Sequence, residues 1–439
     1  MSEASSSSTL ALRVRDEWNQ LSKEERLSEF RVLAHEDALD LFLGLDAHDA
    51  AELLEQMTAN EQRLWIRMLA PDDAADVLQC TTDARQALLE STEPATRNEV
   101  IALMAYKEDE AGGLMSPRYA RVRPEMTVAE AISYIRLQAI EQAEIIYYIY
   151  VLDTDQHLLG AVSLRDLFAA HSTKHVREIM QTELSKAHEN MDQEALADLF
   201  AEEDLIAIPV VDANDRMMGI VTVDDIVDVV EEEATEDIQK MGGTEALDTP
   251  YLRSSLRSMI KKRAGWLTIL FLGEMMTATA MGYYQNEIAR AVVLALFLPL
   301  IISSGGNAGS QASTLVIRAM ALGEVRLSDF WRVIRRELAS GLFLGLILGS
   351  IGFCRVFIWE MLFHSYGAHY LVLALTVGIS LVFVVLWGSL SGAFLPFILK
   401  GLRFDPASAS TPFVATLVDV TGLVIYFTVA SIILRGTLL

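Results

Sequence analysis

The pattern of apolar and polar positions changes character near Pro250. Beyond it lie five apolar stretches, near residues 265–285, 288–320, 337–360, 370–398 and 412–435. Each reaches the ~20 residues a helix needs to cross the hydrocarbon core. Before it, from about Leu21 to Tyr106, apolar residues recur at helical spacing between Asp and Pro residues suited to capping short helices. "LDAHDAAELLEQM" from Leu45 and "LAPDDAADVLQC" from Leu69 repeat one phrase 24 residues apart, which predicts stacked helical pairs. A second repeat follows, "YIYVLDTDQHLLGAVSLRDLF" from Tyr148 and "AIPVVDANDRMMGIVTVDDIV" from Ala207, at a constant offset of 59. Its alternation predicts strand, Asp-rich turn, strand and helix start in each copy.

One apolar stretch is interrupted. "LPLIISSGGNAGSQASTLVIRAM", Leu298–Met320, carries serines, glycines, an asparagine and a glutamine at its centre. Unpaired backbone groups survive at membrane depth only where protein buries them or water reaches them. The segment is therefore expected to unravel against a wet cavity, with Pro299, Gly305, Gly306 and Gly309 turning carbonyl oxygens toward a hard cation. A phosphate-cradling loop is excluded, since no Gly-Lys-Ser/Thr ending is present. In the last span Asp419 lies well inside the apolar run, where an ionised carboxylate costs several kcal/mol and marks an ion path. Glu274 in the first span is a competing acid. Gly341, Gly345 and Gly349, and likewise Gly388 and Gly392, stand four apart and predict close helix–helix contact.

Charge sharpens this picture. Twenty basic and 52 acidic residues precede Pro250, while 15 and 8 follow it, within a net charge of −25. So acidic a soluble half repels nucleic acid and anionic lipid and suits cations. Lys261 to Arg263, Arg326 to Arg336, and Lys400 with Arg403 flank alternate span ends, which puts the N-terminus in the cytoplasm and Leu439 outside a plasma (inner) membrane. Cys80 and Cys354 read as isolated reduced thiols. The eight histidines show no catalytic or ligand spacing, so no enzyme is expected. Acids in the spans also argue against an anion pore.

The second repeat, covering roughly Gly113–Val230, resembles a tandem pair of CBS domains, β-α-β-β-α modules that sense nucleotides or ions. With "PLIISSGGNAGSQASTLVIRAM", "FDPASASTPFVATLVDVTGLVIYF" and the acidic helical N-domain in this order, the whole chain resembles the MgtE family of magnesium channels and transporters. The resemblance implies a multidomain homodimer in the lipid bilayer. It divides into a disordered tail (1–20), an α-helical superhelical N-domain (21–112), CBS domains at 113–176 and 177–238, a connecting "plug" helix (239–263, the basic stretch Tyr251 to Arg263) and an all-α five-helix pore domain (264–439).

It implies, further, that Asp419 holds hydrated Mg²⁺ beside Ala415, Gly306 and Asn307, and that Mg²⁺ flows in down its electrochemical gradient. Regulatory Mg²⁺ that shuts the pore falls to Asp72, Asp76, Glu194, Asp204, Asp225, Asp228, Glu233, Glu236, Asp237 and Asp405. ATP in the CBS cleft would meet Tyr148, Arg165 and Asp166, although Leu205 replaces an aromatic that would stack on adenine. Thr411 replaces an asparagine, and its hydroxyl is expected to face water. The rival expectation is a CBS-regulated transporter of another divalent cation or solute.

Overall fold

The computed structural model describes residues 2–81, 84–141, 147–247 and 249–435. Leu439 lies outside the described residues. The chain forms two compact units, Met1–Glu232 and Glu233–Leu439.

The first unit opens with short helices: α1 (Ser2–Glu17), α2 (Lys23–Val32), α3 (His35–Leu43), α4 (Ala47–Glu55), α5 (Ala59–Trp65), α6 (Pro71–Cys80), α7 (Arg85–Ser91) and α8 (Pro94–Leu103). Their starts are written locally. Ser22 with Glu25, and Thr58 with Glu61, form reciprocal caps, while Pro71 and Pro94 occupy first turns where a missing N–H loses nothing. Leu53, Leu54, Ile66, Leu78 and Leu88 are buried in the core these helices share. The repeated phrase forms α4 and α6, which pack against each other.

The tail expected to be disordered is helical instead. Residues Leu10, Ala11, Val14 and Trp18 recur at helical spacing and join the same core, with Val14 1% exposed. The run of serines before them masked this stripe.

The unit continues through α9 (Ala111–Leu114), β1 (Arg121–Val122), α10 (Val128–Glu141), β2 (Tyr148–Leu152), β3 (Leu158–Ser163), α11 (Leu164–Ala169), β4 (Ala187–His188), α12 (Gln193–Glu203), β5 (Ala207–Val211) and β6 (Met217–Thr222). Each copy of the second repeat makes one three-stranded sheet, orders β1-β2-β3 and β4-β5-β6, with one parallel and one antiparallel pairing. Register repeats too: Tyr148 pairs with Ser163 as Ala207 pairs with Thr222. The hairpins meet at His157 and Arg216, over a shared core of Tyr150, Leu152, Ala161, Met217 and Ile220. Helix α13 (Val223–Met241) contains the division between the units.

The second unit contains α14 (Leu256–Tyr283), α15 (Gln285–Arg290), a 3₁₀ segment (Val292–Phe297), α16 (Leu298–Ala321), α17 (Phe330–Phe363), α18 (Tyr370–Gly401) and α19 (Thr411–Ile433). Five of its helical segments are long and apolar enough to cross a membrane. Two expectations are corrected. The basic stretch expected to end at 263 is continuous with the first span: Ser255 caps one 28-residue helix in which Lys261–Arg263 run straight into apolar residues. A change of polarity is not a helix breaker, and Gly265 alone does not stop it.

The second correction concerns "SSGGNAGSQ", which does not unravel, because α16 is helical throughout its 24 residues. Pro299 sits in the first turn, so it removes no internal hydrogen bond. The polar side chains bond to carbonyls: Ser304 donates to Leu300 (2.6 Å), Ser310 to Thr411 (3.3 Å) and Ser313 to Ala409 (2.9 Å).

The glycines serve close approach. A Cβ on Gly388 would lie 2.2 Å from the Gly305 carbonyl oxygen, and one on Gly392 would lie 2.0 Å from that of Gly309. Gly345 likewise meets the Val382 backbone, and Gly349 that of Gly378, as the four-residue spacing predicts. Overpacking a site with backbone as its neighbour costs roughly 1–3 kcal/mol. Gly392→Leu is therefore expected to lower the melting temperature of the detergent-solubilised protein by several degrees, whereas Gly401→Leu, with nothing within 4 Å, leaves it unchanged. Equal melting of the two variants would contradict this packing.

Candidate functional site

Three places gather the residues singled out in the sequence. The first lies within the membrane helices. Gly305 turns toward Val384 and Val418, so α16 is wedged between α18 and α19. Its neighbour Gly306 consequently faces α19, 3.6 Å from both the Ala415 Cβ and Asp419 Oδ1, measured from where a Cβ would stand. Gly306, Asn307, Ala415 and Asp419 line one cavity of about 570 Å³, together with Ser303 and Thr277. All four expected residues thus share a single space. Ser303 and Asn307 are exposed, and Asp419 is half-buried.

Sequence reasoning missed Thr277, whose hydroxyl has no hydrogen-bond partner among the described residues. Its signal was a polar residue three positions after Glu274 on one helix face. Glu274 is itself near enough to act electrostatically on Asp419.

The second place lies in the first unit. Asp76 on α6 is pushed up to about 8 by burial first and then by Asp73, Asp72, Glu108 and Asp225. Asp225, near the start of α13, is pushed up to about 6 by burial, against hydrogen bonds from the Thr222 N–H and hydroxyl, with Asp224 and Asp73 adding repulsion. Asp72, Asp76 and Asp225 are therefore brought together, and Asp73 and Glu108, unforeseen, join them.

The repeat supplies a comparison inside the chain. Asp49 and Glu52 of the first phrase correspond to Asp73 and Asp76 of the second. Arg26 pairs with the former two at 3.1 and 2.8 Å, and Trp18 donates to Asp49 at 2.7 Å. Where the first copy meets an arginine, the second meets further carboxylates. The remaining expected acids here are dispersed. Glu194 and Asp204 stand at opposite ends of α12, about 15 Å apart, too far to share an ion. Asp228 is raised by burial and then by Glu231 and Asp224 on its own helix.

The third place is at the far end of α13, in the second unit. Asp237 is raised by burial first and then by Asp405, with Glu233 and Glu236 adding to it and Lys240 opposing. Lys240, also unforeseen, bonds Asp405 at 2.7 Å and pairs with Glu236. Burial disfavours its charge, but those two carboxylates outweigh the burial and raise its pKa. Glu236 and Asp405 thus hold one lysine, with Asp237 close to it and Glu233 acting on Asp237.

The residues matching nucleotide contacts are more open. Tyr148 is half-buried on β2, while Arg165 and Asp166 are exposed on α11, where Ser163 donates to Asp166 at 2.7 Å. Leu205 packs against the helical core. Thr411 departs from expectation: its hydroxyl donates to the Met241 carbonyl at 2.7 Å rather than facing water.

Among the described residues, five helical segments long and apolar enough to cross a membrane, three of which line a cavity that holds Asp419, follow a helical domain and a paired α/β module, and together they define a polytopic membrane protein with attached domains. The chain belongs to the MgtE family. The family profile described as a divalent cation transporter matches residues 298–429, that of the MgtE intracellular N domain matches 12–109, and CBS domains match 111–172 and 176–232. The magnesium transporter MgtE of Thermus thermophilus is 40% identical over 95% of this chain and 92% of that protein. The Bacillus subtilis protein of the same name is 31% identical over 94% and 90%. Among solved structures, the cytosolic domain of the Mg²⁺ channel MgtE in complex with ATP is 38% identical, with a TM-score of 0.48, covering 51% of this chain and 93% of that one.

The acids of α6 and α13 carry a pH dependence. Asp76 and Asp225 hold protons more tightly folded than unfolded, so stability falls as pH rises from the ordinary carboxylate range toward about 8 and is not regained above it. In EDTA, Asp76→Asn is expected to protect the α6 amides from hydrogen exchange by roughly 2 kcal/mol more than wild type at pH 8.5, and by almost nothing at pH 4. A difference independent of pH would refute the assignment.

Proposed function

We propose that this protein carries Mg²⁺ across the membrane into the cell, down its electrochemical gradient, and that Mg²⁺ on the cytosolic side closes the path. The observation that carries the reading is the convergence of Asp419, Asn307 and the backbone at Gly306 and Ala415 on one open cavity between the membrane helices. Mg²⁺ gives up water reluctantly and favours octahedral oxygen shells. At ~30 Å³ per water, a hexahydrated ion needs about 200 Å³, which a space of about 570 Å³ admits. One carboxylate neutralises only half of a divalent charge. A homodimer that brings two copies of the cavity together on a two-fold axis supplies the second Asp419.

Inward direction follows from charge. The basic span ends support a cytoplasmic position for the acidic domains, and an inside-negative potential contributes about 4.6 kcal/mol per divalent ion per 100 mV. Closure follows from the two carboxylate clusters. Mg²⁺ that neutralises mutually repelling acids favours the arrangement in which they are closest. Several such ions, each preferring the closed state modestly, together supply the ~5.5 kcal/mol that turns a mostly open gate into a mostly shut one. By family resemblance ATP is a second ligand, in the CBS cleft beside Tyr148, Arg165 and Asp166.

In proteoliposomes with a Mg²⁺-sensitive dye inside, Asp419→Asn, which removes charge and keeps shape, is expected to reduce uptake at least tenfold. Undiminished uptake would remove the pore assignment. Uptake by the wild type that ignores millimolar Mg²⁺ on the cytosolic side would remove the gating assignment and leave transport standing.

A further inference from the structure

The end of α13 is fastened to the base of the helix that bears Asp419. Helix C-terminal carbonyls lack partners within their own helix and must find them elsewhere. The Met241 carbonyl, on the last residue of α13, receives the Thr411 hydroxyl of α19 at 2.7 Å. That hydroxyl is available because Ser410, fully buried, already caps α19 by accepting from the Phe413 N–H at 3.4 Å. One residue before Met241, Lys240 pairs with Asp405, just ahead of the same helix, at 2.7 Å. The Met241 side chain packs on Ile317, Ala407 and Ala409.

The following turn is seated as closely. Gly243 has φ +75°, and a Cβ on it would lie 2.8 Å from Trp266 and 3.1 Å from Pro412. Trp266 in turn donates to Ser410 at 3.1 Å. Asp419 is eight residues along α19 from Thr411, about 12 Å up a rigid helix.

We propose that Thr411 is a positioning residue, a latch by which displacement of α13 reaches the pore helix directly, without passing through the basic start of α14. The idea rests on the gating reading above and names the part that transmits it. A divalent ion that bridges Asp225 of α13 to Asp72 and Asp76 of α6 pulls along α13 at Lys240 and Met241. The Thr411 hydrogen bond and the Lys240–Asp405 pair convert that pull into movement of the α19 base, and so of Asp419. Thr411 touches no ion in this scheme.

The test uses the full-length protein in proteoliposomes, with Mg²⁺ on the cytosolic side varied from zero to millimolar. Thr411→Val keeps shape and removes the hydroxyl, whereas Thr411→Ser keeps the hydroxyl. The valine variant is expected to need at least five times more cytosolic Mg²⁺ for half-closure, with flux at zero cytosolic Mg²⁺ within twofold of wild type. The serine variant is expected to match wild type.

A valine variant with unaltered sensitivity overturns the latch. One that loses flux at zero cytosolic Mg²⁺ overturns it too, by putting the hydroxyl in the permeation path. If wild-type flux ignores cytosolic Mg²⁺, the gating reading has failed, and the fastening is judged by hydrogen exchange. Thr411→Val should then speed exchange at the Gly242 and Gly243 amides at least tenfold, and unchanged exchange overturns it.

Discussion

The membrane unit depends on one close contact, backbone against backbone, between α16 and α18. Gly305 and Gly309 meet Gly388 and Gly392 at separations that no Cβ tolerates. Lipid offers no hydrophobic gain for bringing two apolar helices together, so van der Waals packing at short range has to supply it. The consequence reaches beyond stability. Pressing the 305/309 face of α16 onto α18 turns the next residue, Gly306, toward Ala415 and Asp419, and Asn307 toward the cavity. The contact that holds the helices also aims the site, which is why small and polar residues alternate so tightly in this stretch.

Charge organises the soluble helices by a related economy of position. Two copies of one phrase present acids at matching places, and the chain treats them differently. Asp49 and Glu52 are closed around Arg26, a buried arrangement held by direct pairing. Asp73 and Asp76 meet Asp225 and Glu108 instead, and protons stay on Asp76 well above the ordinary carboxylate range. Like charges held together raise the free energy of a fold unless a cation or proton intervenes. The first copy carries its cation covalently as an arginine, and on the function proposed above the second takes one from solution. Lys240 gives the far end of α13 an intermediate solution, a tethered cation that bonds two carboxylates, Glu236 and Asp405, and stands close to a third, Asp237.

The sequence made the large divisions legible because each has its own period. Helical spacing, strand alternation with a constant offset and uninterrupted apolar runs are different signals, and the elements follow them. Asp419 was legible because an acid in an apolar span is conspicuous, whereas Gly306, Asn307 and Ala415 came from the family resemblance. What misled was reading composition as conformation. Serine and glycine at the centre of α16 suggested an unwound segment, since both weaken helices in water. In hydrocarbon, where an open peptide group finds no solvent, the helix is held and the same residues serve packing. Serines at the N-terminus suggested disorder for the converse reason, hiding Leu10, Val14 and Trp18 beneath a polar surface count. Glu108 and Lys240 were illegible because only the fold brings them to their partners.

Thr411 shows how one substitution can redirect a local role. The family resemblance leads one to expect an asparagine there, and a pore reading would ask what the shorter side chain still offers to water. The geometry asks something else. A hydroxyl in the first turn of α19 sits under the unpaired carbonyl of α13, while Ser410 beside it has already taken the cap. A threonine has one proton to donate, and here it goes to the neighbouring helix. Donating it in that direction ties the acidic helix to the first turn of the aspartate-bearing one, about 12 Å along a rigid helix from Asp419.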